Sequence, residues 1–400
     1  MFSVKGKFAE ATIFTDLVEE QALSQIIGML NQPITENTKV AIMPDVHAGT
    51  GSTIGTTISL PKNKQDWRVC PNVVGVDLGC GMMSYKLADK EIDLKEIDEI
   101  VNKYIPSGFN IHSKPQNQKF TDSLIEDLTF AIDNPERIEL SLGSLGGGNH
   151  FIEIAIDEDG SFWLTVHSGS RNLGVQVAKH HQKKAKRSML NVGVDKIIAE
   201  LKALGKEKDI EKTIKEAKAL TADFNKELSF LTGDELEEYS NDLALAQKFA
   251  QLNRKTMLDI IVEKAGLTII DEFDSIHNFI DIEEGVIRKG ATSARKGERL
   301  IIPLNMRDGS LICVGKGNKE WNYSAPHGAG RMLSRSAAKK ELDLDEFKNQ
   351  MAGIYTTSVG ESTLDEAPDA YKPIGAIIDN IGDTVDIIHH LKPVWNFKAH

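Results

Sequence analysis

The residues of this chain best suited to chemistry are histidines, one aspartate and one cysteine, each beside glycine or at the end of an apolar run. His47 lies in PDVHAGTG, His150 in GGGNHFIE, His167 in TVHSGSR, His277 in SIHNFI and His327 in SAPHGAGR, while Asp77 and Cys80 share GVDLGCGM. A metal centre needs donors that are deprotonated at neutral pH and rigidly held. Asp77, Cys80, His150, His167 and His277 offer one carboxylate, one thiolate and three imidazoles. Asp77 and Cys80 are close enough for one tight turn to aim both at one point. A thiolate can bridge two cations, which would lower its pKa, and two such cations would neutralise a triphosphate and activate an attacking group. Taken singly, a histidine near glycine is ordinarily a hydrogen-bonding residue, and a buried cysteine is inert packing. Glycine weakens strands unless geometry requires it, so the joint pattern favours a metal centre. His112, His180, His181, His389, His390 and His400 lack such surroundings and read as surface or core residues.

Composition narrows the classes. The 400 residues carry 47 Lys and Arg against 59 Asp and Glu, a formal net charge of −12. That balance excludes non-specific coating of nucleic acid but leaves room for a local basic cleft. An apolar fraction of 40% is that of an ordinary globular protein. No apolar run is long enough to span a bilayer, so no membrane partner is expected. The opening MFSVKGKFAEATIF lacks an apolar signal core, and three cysteines (Cys70, Cys80, Cys313) argue for a reducing compartment. The expected location is the cytoplasm.

The elements that must position these residues follow from texture. Residues 38–90 and 140–175 alternate short apolar runs with glycine turns and predict buried strands. Residues 91–135 between them predict polar helices. Residues 175–265 carry apolar residues at helical spacing among charges and predict a helical insertion, its charged stretches being solvated faces without a functional role. Strand texture returns after residue 266, followed by a helix expected from about Ala329 to Lys340. Site residues fall on both sides of the insertion, so residues 1–400 read as a single catalytic domain. The expected class is α+β, with mixed β-sheets forming a central core flanked by helices.

Six segments stand in a telling order: PDVHAGTGSTIG, GVDLGCGM, GGGNHFIE, HSGSRNLG, RKGAT and HGAGRMLSRSAA. Together with YSNDLALAQKFAQLNR and DEAPDAYKPI, they resemble the RtcB family of RNA repair and splicing ligases, over a stretch from about Val40 to Lys398. The resemblance implies an RtcB-like fold and a GTP-dependent ligase. Such an enzyme joins RNA 2′,3′-cyclic phosphate or 3′-phosphate ends to 5′-hydroxyl ends. It further implies that His327 attacks the α-phosphate of GTP and becomes guanylylated, with Asp45 supporting that step. Two manganese ions would sit on Asp77, Cys80, His150, His167 and His277, with Cys80 bridging. The guanine nucleotide would lie among Asn149, His150, Phe151, Ile152, Glu153, His277, Asn278, Pro303, Leu304, Asn305, Met306, Ser310, Gly328, Ala329, Gly330 and Lys398. Arg171, Arg331 and Arg335 would hold RNA phosphates, and an archease-like activator is an implied partner.

The residue types suit these roles. An imidazole is a good nucleophile toward phosphorus. Glycines after His327 let backbone N–H groups approach phosphate, and the helix expected to follow adds its dipole. Glu153 can accept from guanine N1 and N2, which adenine cannot match. Guanidinium groups hold phosphate in two-point contact. Sulfur and imidazole donors suit zinc as well as manganese, and manganese follows from the resemblance alone. The chain departs from the family where PLNMRDGSL puts Leu304 and Arg307 in place of two expected glycines, and where it ends FKAH with Ala399 after Lys398. Two other readings use the same residues: a two-metal RNA-end phosphoesterase, and a non-catalytic RNA-end binding module.

Overall fold

The computed structural model describes residues 1–191, 202–203 and 225–399, so the middle of the helical segment expected over 175–265 lies outside the described residues. In chain order the strands are β1 Phe2–Lys5, β2 Glu10–Ile13, β3 Lys39–His47, β4 Ile54–Ser59, β5 Gly81–Leu87, β6 Phe151–Ile156 and β7 Phe162–Ser168. There follow β8 Ile269–Ile276, β9 Asn278–Asp281, β10 Val286–Lys289, β11 Ala291–Ser293, β12 Arg299–Asn305, β13 Gly309–Gly315, β14 Ser324–Pro326 and β15 Val385–Lys398. They form a six-stranded sheet in the order β1-β2-β3-β4-β10-β9, a seven-stranded sheet in the order β12-β13-β15-β6-β7-β5-β8, and the ribbon β11-β14. The architecture is α+β, as the sequence texture indicated, and the parallel pairing of β2 with β3 makes the six-stranded sheet mixed.

The two sheets meet at His277. It stands between β8, an edge of one sheet, and β9, an edge of the other. Its N–H donates to Cys80 O at 2.9 Å and its carbonyl accepts from Ala291 N–H at 3.2 Å, so the seam is pinned on both sides of one histidine. β3 is buried along nearly its whole length, yet its pairing with β4 slips between Ile42 and His47. Pro44 lies in that gap and has no N–H for the ladder, and the irregularity carries Asp45.

The long helix Gly233–Ala265 closes with Gly266 in the left-handed region, φ 65°. Leu236, Tyr239, Leu243, Ala246, Phe249 and Asn253 recur on its buried stripe at helical spacing. Farther along, Met257, Leu258 and Ile261 join the apolar cluster under β5, β6 and β7. Its charged residues Glu237, Lys248 and Asp259 face solvent, as expected, but Asp242 and Arg254 depart from that pattern and are fully buried.

The segment after His327 departs from the expected helix. The helix expected from Ala329 begins only at Arg335 and runs to Glu341, capped by Ser334 Oγ accepting from Ala337 N–H at 3.2 Å. Gly330 takes φ 74°, and Arg331 forms a bridge with Tyr371, so the chain runs along the cavity without helix before it coils. The helix dipole invoked for phosphate therefore starts eight residues away from His327. Among the described residues no helix is long and apolar enough to cross a membrane.

Candidate active site

Backbone geometry brings the donors together. The short helix Pro71–Val74 ends at Gly75, φ 109°, and Cys80 N–H closes a turn onto Asp77 O at 3.2 Å. Gly79 in that turn has φ 70°, and a side chain there would meet Gln247 Cα of the long helix at 2.9 Å. Register does the rest: β5 lies between β7 and β8, and Phe151 of β6 pairs with His167 of β7. Cys80 Sγ lies 3.5 Å from His150 Nε2 and 3.4 Å from His167 Nε2. His167 Nε2 is 3.3 Å from His277 Nε2, and His150 Nε2 is 3.0 Å from Asp77 Oδ2. Asp77–Cys80–His150 and Cys80–His167–His277 are thus two donor triads sharing one sulfur, with the atoms of each within 4.8 Å of one another.

The donor set fits metal ions. Nitrogen and sulfur ligands roughly 2.0–2.3 Å from a common ion stand about 3.3–3.5 Å apart at tetrahedral angles, matching the observed separations. Burial, reinforced by neighbouring imidazoles, drives His167 and His277 well below the usual histidine range, so both are neutral and able to ligate. Burial alone would raise Asp77, but His150 holds it below the ordinary carboxylate value. The Cys80 thiol is pushed well up by burial and by Asp77; only a cation at the sulfur would make it a thiolate. His150 Nδ1 meets Leu145 O at 2.8 Å, which assigns the proton to Nδ1 and leaves Nε2 as the donor.

The long helix supports both turns from beneath. Arg254 Nη1 donates to Gly79 O at 2.8 Å and to Ser168 O at 2.9 Å, while its other nitrogens pair with Asp274 at 2.7 and 2.8 Å. Asn253 Nδ2 donates to Ser144 O, Ser168 Oγ and Gly169 O, each at 3.1 Å. Asn278, expected at the nucleotide, clamps the donor turn, giving to Asp77 O at 3.1 Å and accepting from Gly290 N–H at 2.8 Å.

His327 follows β14, its ring 4.8 Å from that of His277. Its Nδ1 lies 2.6 Å from Asp45 Oδ2, which also accepts the His327 backbone N–H at 3.1 Å. With the Nδ1 proton directed at the carboxylate, the Nε2 lone pair is left for attack. Asp45 is fully buried, and its Oδ1 has no partner among the described residues. Lys372, 2% exposed, donates to Pro44 O at 3.0 Å and Val46 O at 2.8 Å on either side of Asp45, and to Leu17 O at 3.0 Å. His47 Nδ1 meets Asp45 O at 2.8 Å, and burial lowers its pKa to about 4.

A cavity of ≈ 460 Å³ opens at His327. Alternation along β6 sends Phe151 and Glu153 to its wall and Ile152 into the apolar core behind, so the side chain expected at the nucleotide does not reach it. Asn149, Pro303, Leu304, Asn305, Met306, Gly328, Ala329, Gly330 and Lys398 line the cavity, while Ser310 is buried beside the lining Gly309. Burial raises the Glu153 carboxyl to about 8, only partly opposed by Lys398. The glycine replacements are accommodated locally. Leu304 packs into the core, and Asn305 Oδ1 caps the turn by accepting from Arg307 N–H at 3.0 Å and Asp308 N–H at 2.9 Å. Ala399 packs into the core near Phe397.

The arginines occupy two places. Arg331 and Arg335 converge on Glu366, at 3.3 and 2.6 Å, together with Lys398 at 2.5 Å and the Tyr371 hydroxyl at 2.6 Å. Burial would raise Glu366, but Lys398 and Arg335 hold it at about 2. Arg171 lies apart, donating to Ser144 Oγ at 3.0 Å and Gly108 O at 2.9 Å. The sequence alone assigns no role to Glu366, Lys372 or Arg254. DEAPDAYKPI, which holds the first two, carries the available signal: three acids and a lysine in one short segment.

Two donor triads at a sheet seam, all but Asp77 buried, beside a histidine-lined cavity, make a metal-centred active site the best description of this region. The family model described as "tRNA-splicing ligase RtcB" matches residues 25–135 and 126–399, and the chain belongs to the RtcB family. It is 30% identical to the RNA-splicing ligase RtcB of Escherichia coli strain K12, over 96% of this chain and 95% of that protein. It is 27% identical to the tRNA-splicing ligase RtcB of Aeropyrum pernix (84% and 82% covered) and 24% to that of Pyrobaculum aerophilum (93% and 89%).

Proposed function

We propose that this protein is an RNA ligase that joins 2′,3′-cyclic phosphate or 3′-phosphate RNA ends to 5′-hydroxyl ends through a GMP carried on His327. The observation that carries the reading is the place of His327. Asp45 fixes its Nδ1 at 2.6 Å, its ring lies against the donor His277, and it forms part of the cavity wall. His327 Nε2 attacks the α-phosphorus of GTP, forming an N–P bond as pyrophosphate leaves, and Asp45 stabilises the imidazolium that results. The 3′-phosphate, released first by hydrolysis where the end is cyclic, takes GMP from the histidine. The 5′-hydroxyl then attacks that phosphate, and GMP departs.

Asp77, Cys80 and His150 would hold one manganese ion and Cys80, His167 and His277 a second, supplying charge that offsets developing negative charge on phosphate oxygens. Glu153 reads the guanine N1–H and N2–H edge. Lys398, Arg331 and Arg335 carry positive charge to the phosphates, and Arg171 holds the RNA end. The three cysteines are all free, which suits a reducing cytoplasm, and an archease-like protein is the activator this reading anticipates.

Incubation with GTP labelled at the α-phosphate and manganese should label the wild-type protein and leave His327→Ala unlabelled. A wild type that takes no label, or label that survives His327→Ala, overturns the reading. A two-metal phosphoesterase would instead release phosphate without GTP and tolerate the loss of His327.

A further inference from the structure

A second recess of ≈ 830 Å³ opens beside the donor cluster, with Asp77 and His150 in its wall. Phe109 stands at it, 92% exposed. A lone exposed apolar side chain is ordinary. What distinguishes this one is its support and its company.

The loop beneath the ring is tied at every step. Gly108 N–H donates to Gly146 O at 2.8 Å and Asn110 N–H to Ser107 O at 3.0 Å. Arg137 Nη2 donates to the carbonyl of Phe109 itself at 2.9 Å, and Arg171 Nη2 to Gly108 O at 2.9 Å. The ring is thus held out to solvent on a fixed ledge between two guanidinium groups. Both guanidiniums hydrogen-bond only to neutral oxygens among the described residues, and Asp77 attracts the Arg171 charge without a hydrogen bond to it. Arg171 adopts φ 57°, a backbone conformation that side-chain-bearing residues rarely take. Holding it there aims its side chain across Ser144 and Gly108 toward the ledge.

An aromatic face flanked by two guanidiniums that form no carboxylate hydrogen bond among the described residues, next to donors for cations, matches a nucleotide. Every base offers a face for stacking, and guanidinium grips its phosphate. We infer that Phe109 is a stacking platform for the 3′-terminal base of the RNA strand, whose terminal phosphate lies at Arg171 and Arg137 next to Asp77 and His150. The ligase reading enters only in the choice of the 3′-phosphate strand.

The test is fluorescence anisotropy with a labelled oligoribonucleotide ending in a 3′-phosphate, and with the same strand lacking the base of its last nucleotide. Phe109→Ala should weaken binding of the intact strand roughly 5- to 150-fold, the range for one lost base stack, and Phe109→Trp should preserve it. The wild type should bind the abasic strand about as weakly as Phe109→Ala binds the intact one, and Phe109→Ala should weaken the abasic strand no further. Equal affinity of wild type and Phe109→Ala for the intact strand overturns the platform, as does an equal loss on both strands. The stacking pattern in a wild type that takes no GMP label would sink the ligase reading and leave the platform standing.

Discussion

The donor cluster and the cationic hub around Glu366 bury polar groups by opposite means. Asp77, Cys80, His150, His167 and His277 bring neutral or acidic atoms against one another, with no cationic side chain among them, and are held in place through the backbone. Glu366 and Asp365, by contrast, are already paired with Arg331, Arg335, Lys339 and Lys398. Two carboxylates against four cations leave that hub with positive charge in excess, partly quenched and ready to exchange partners for phosphate. The lesson is that the donor atoms on one side meet one another rather than a cationic side chain and suit metal ions, while the other side stores positive charge for an anion. Substitutions should therefore act differently on the two sides.

The largest effect should come from the shared sulfur. Cys80→Ala should lower bound metal from two ions per chain toward none, and GMP labelling should fall by on the order of 10³-fold, several kcal/mol of lost charge stabilisation. Metal analysis after gel filtration checks this, and two retained ions would break the idea that the triads share one ligand. Next in size is Arg254→Met, which strands Asp274 and the carbonyls of Gly79 and Ser168. Breaking such a buried pair should cost about 3–5 kcal/mol in urea unfolding; a loss under about 1 kcal/mol would show that the helix does not hold the donor turns. Smaller again, Lys372→Met should slow labelling about 10²-fold, since displacement of Asp45 by a fraction of an ångström misaligns His327. Metal content should not change, and a slowed variant that has also lost metal would merge the two sides into one unit.

What could be read from the sequence follows the same division. The donors were legible because strand ends and glycine turns are local patterns, as in GVDLGCGM, where Gly75 and Gly79 mark the bends that aim Asp77 and Cys80. The fold class was legible because apolar alternation changes visibly to helical spacing and back. The hub was not, because Glu366 meets Lys398 and Arg331 across 32 and 35 residues, and ion pairs leave no periodic trace. Arg254 was hidden by its own helix, where one charged residue on the buried stripe looks like any solvated one. The late start of the helix at Arg335 escaped because Gly328, Gly330 and Ser334 are permissive of coil, and only the Arg331–Tyr371 bridge decides for it.

The smallest predicted effect tests the contact between the two sides, at Glu153. Burial lifts this carboxyl from its ordinary value of 4.5 to about 8, so the native protein holds a proton that the unfolded chain has lost. Between those two values, stability contributed by Glu153 falls as pH rises, and above about 8 the penalty is constant. Guanine offers two N–H donors, and only the ionised carboxylate accepts both. Binding of GTP at pH 7 should therefore expel up to one proton, and affinity should improve as pH climbs toward 8. Glu153→Gln should remove the proton release and weaken GTP by roughly 1–3 kcal/mol, since an amide meets one donor with another. Calorimetry in buffers of different ionisation enthalpy measures that proton directly. Release of the same size in Glu153→Gln would place the titrating group elsewhere and detach this carboxyl from guanine recognition.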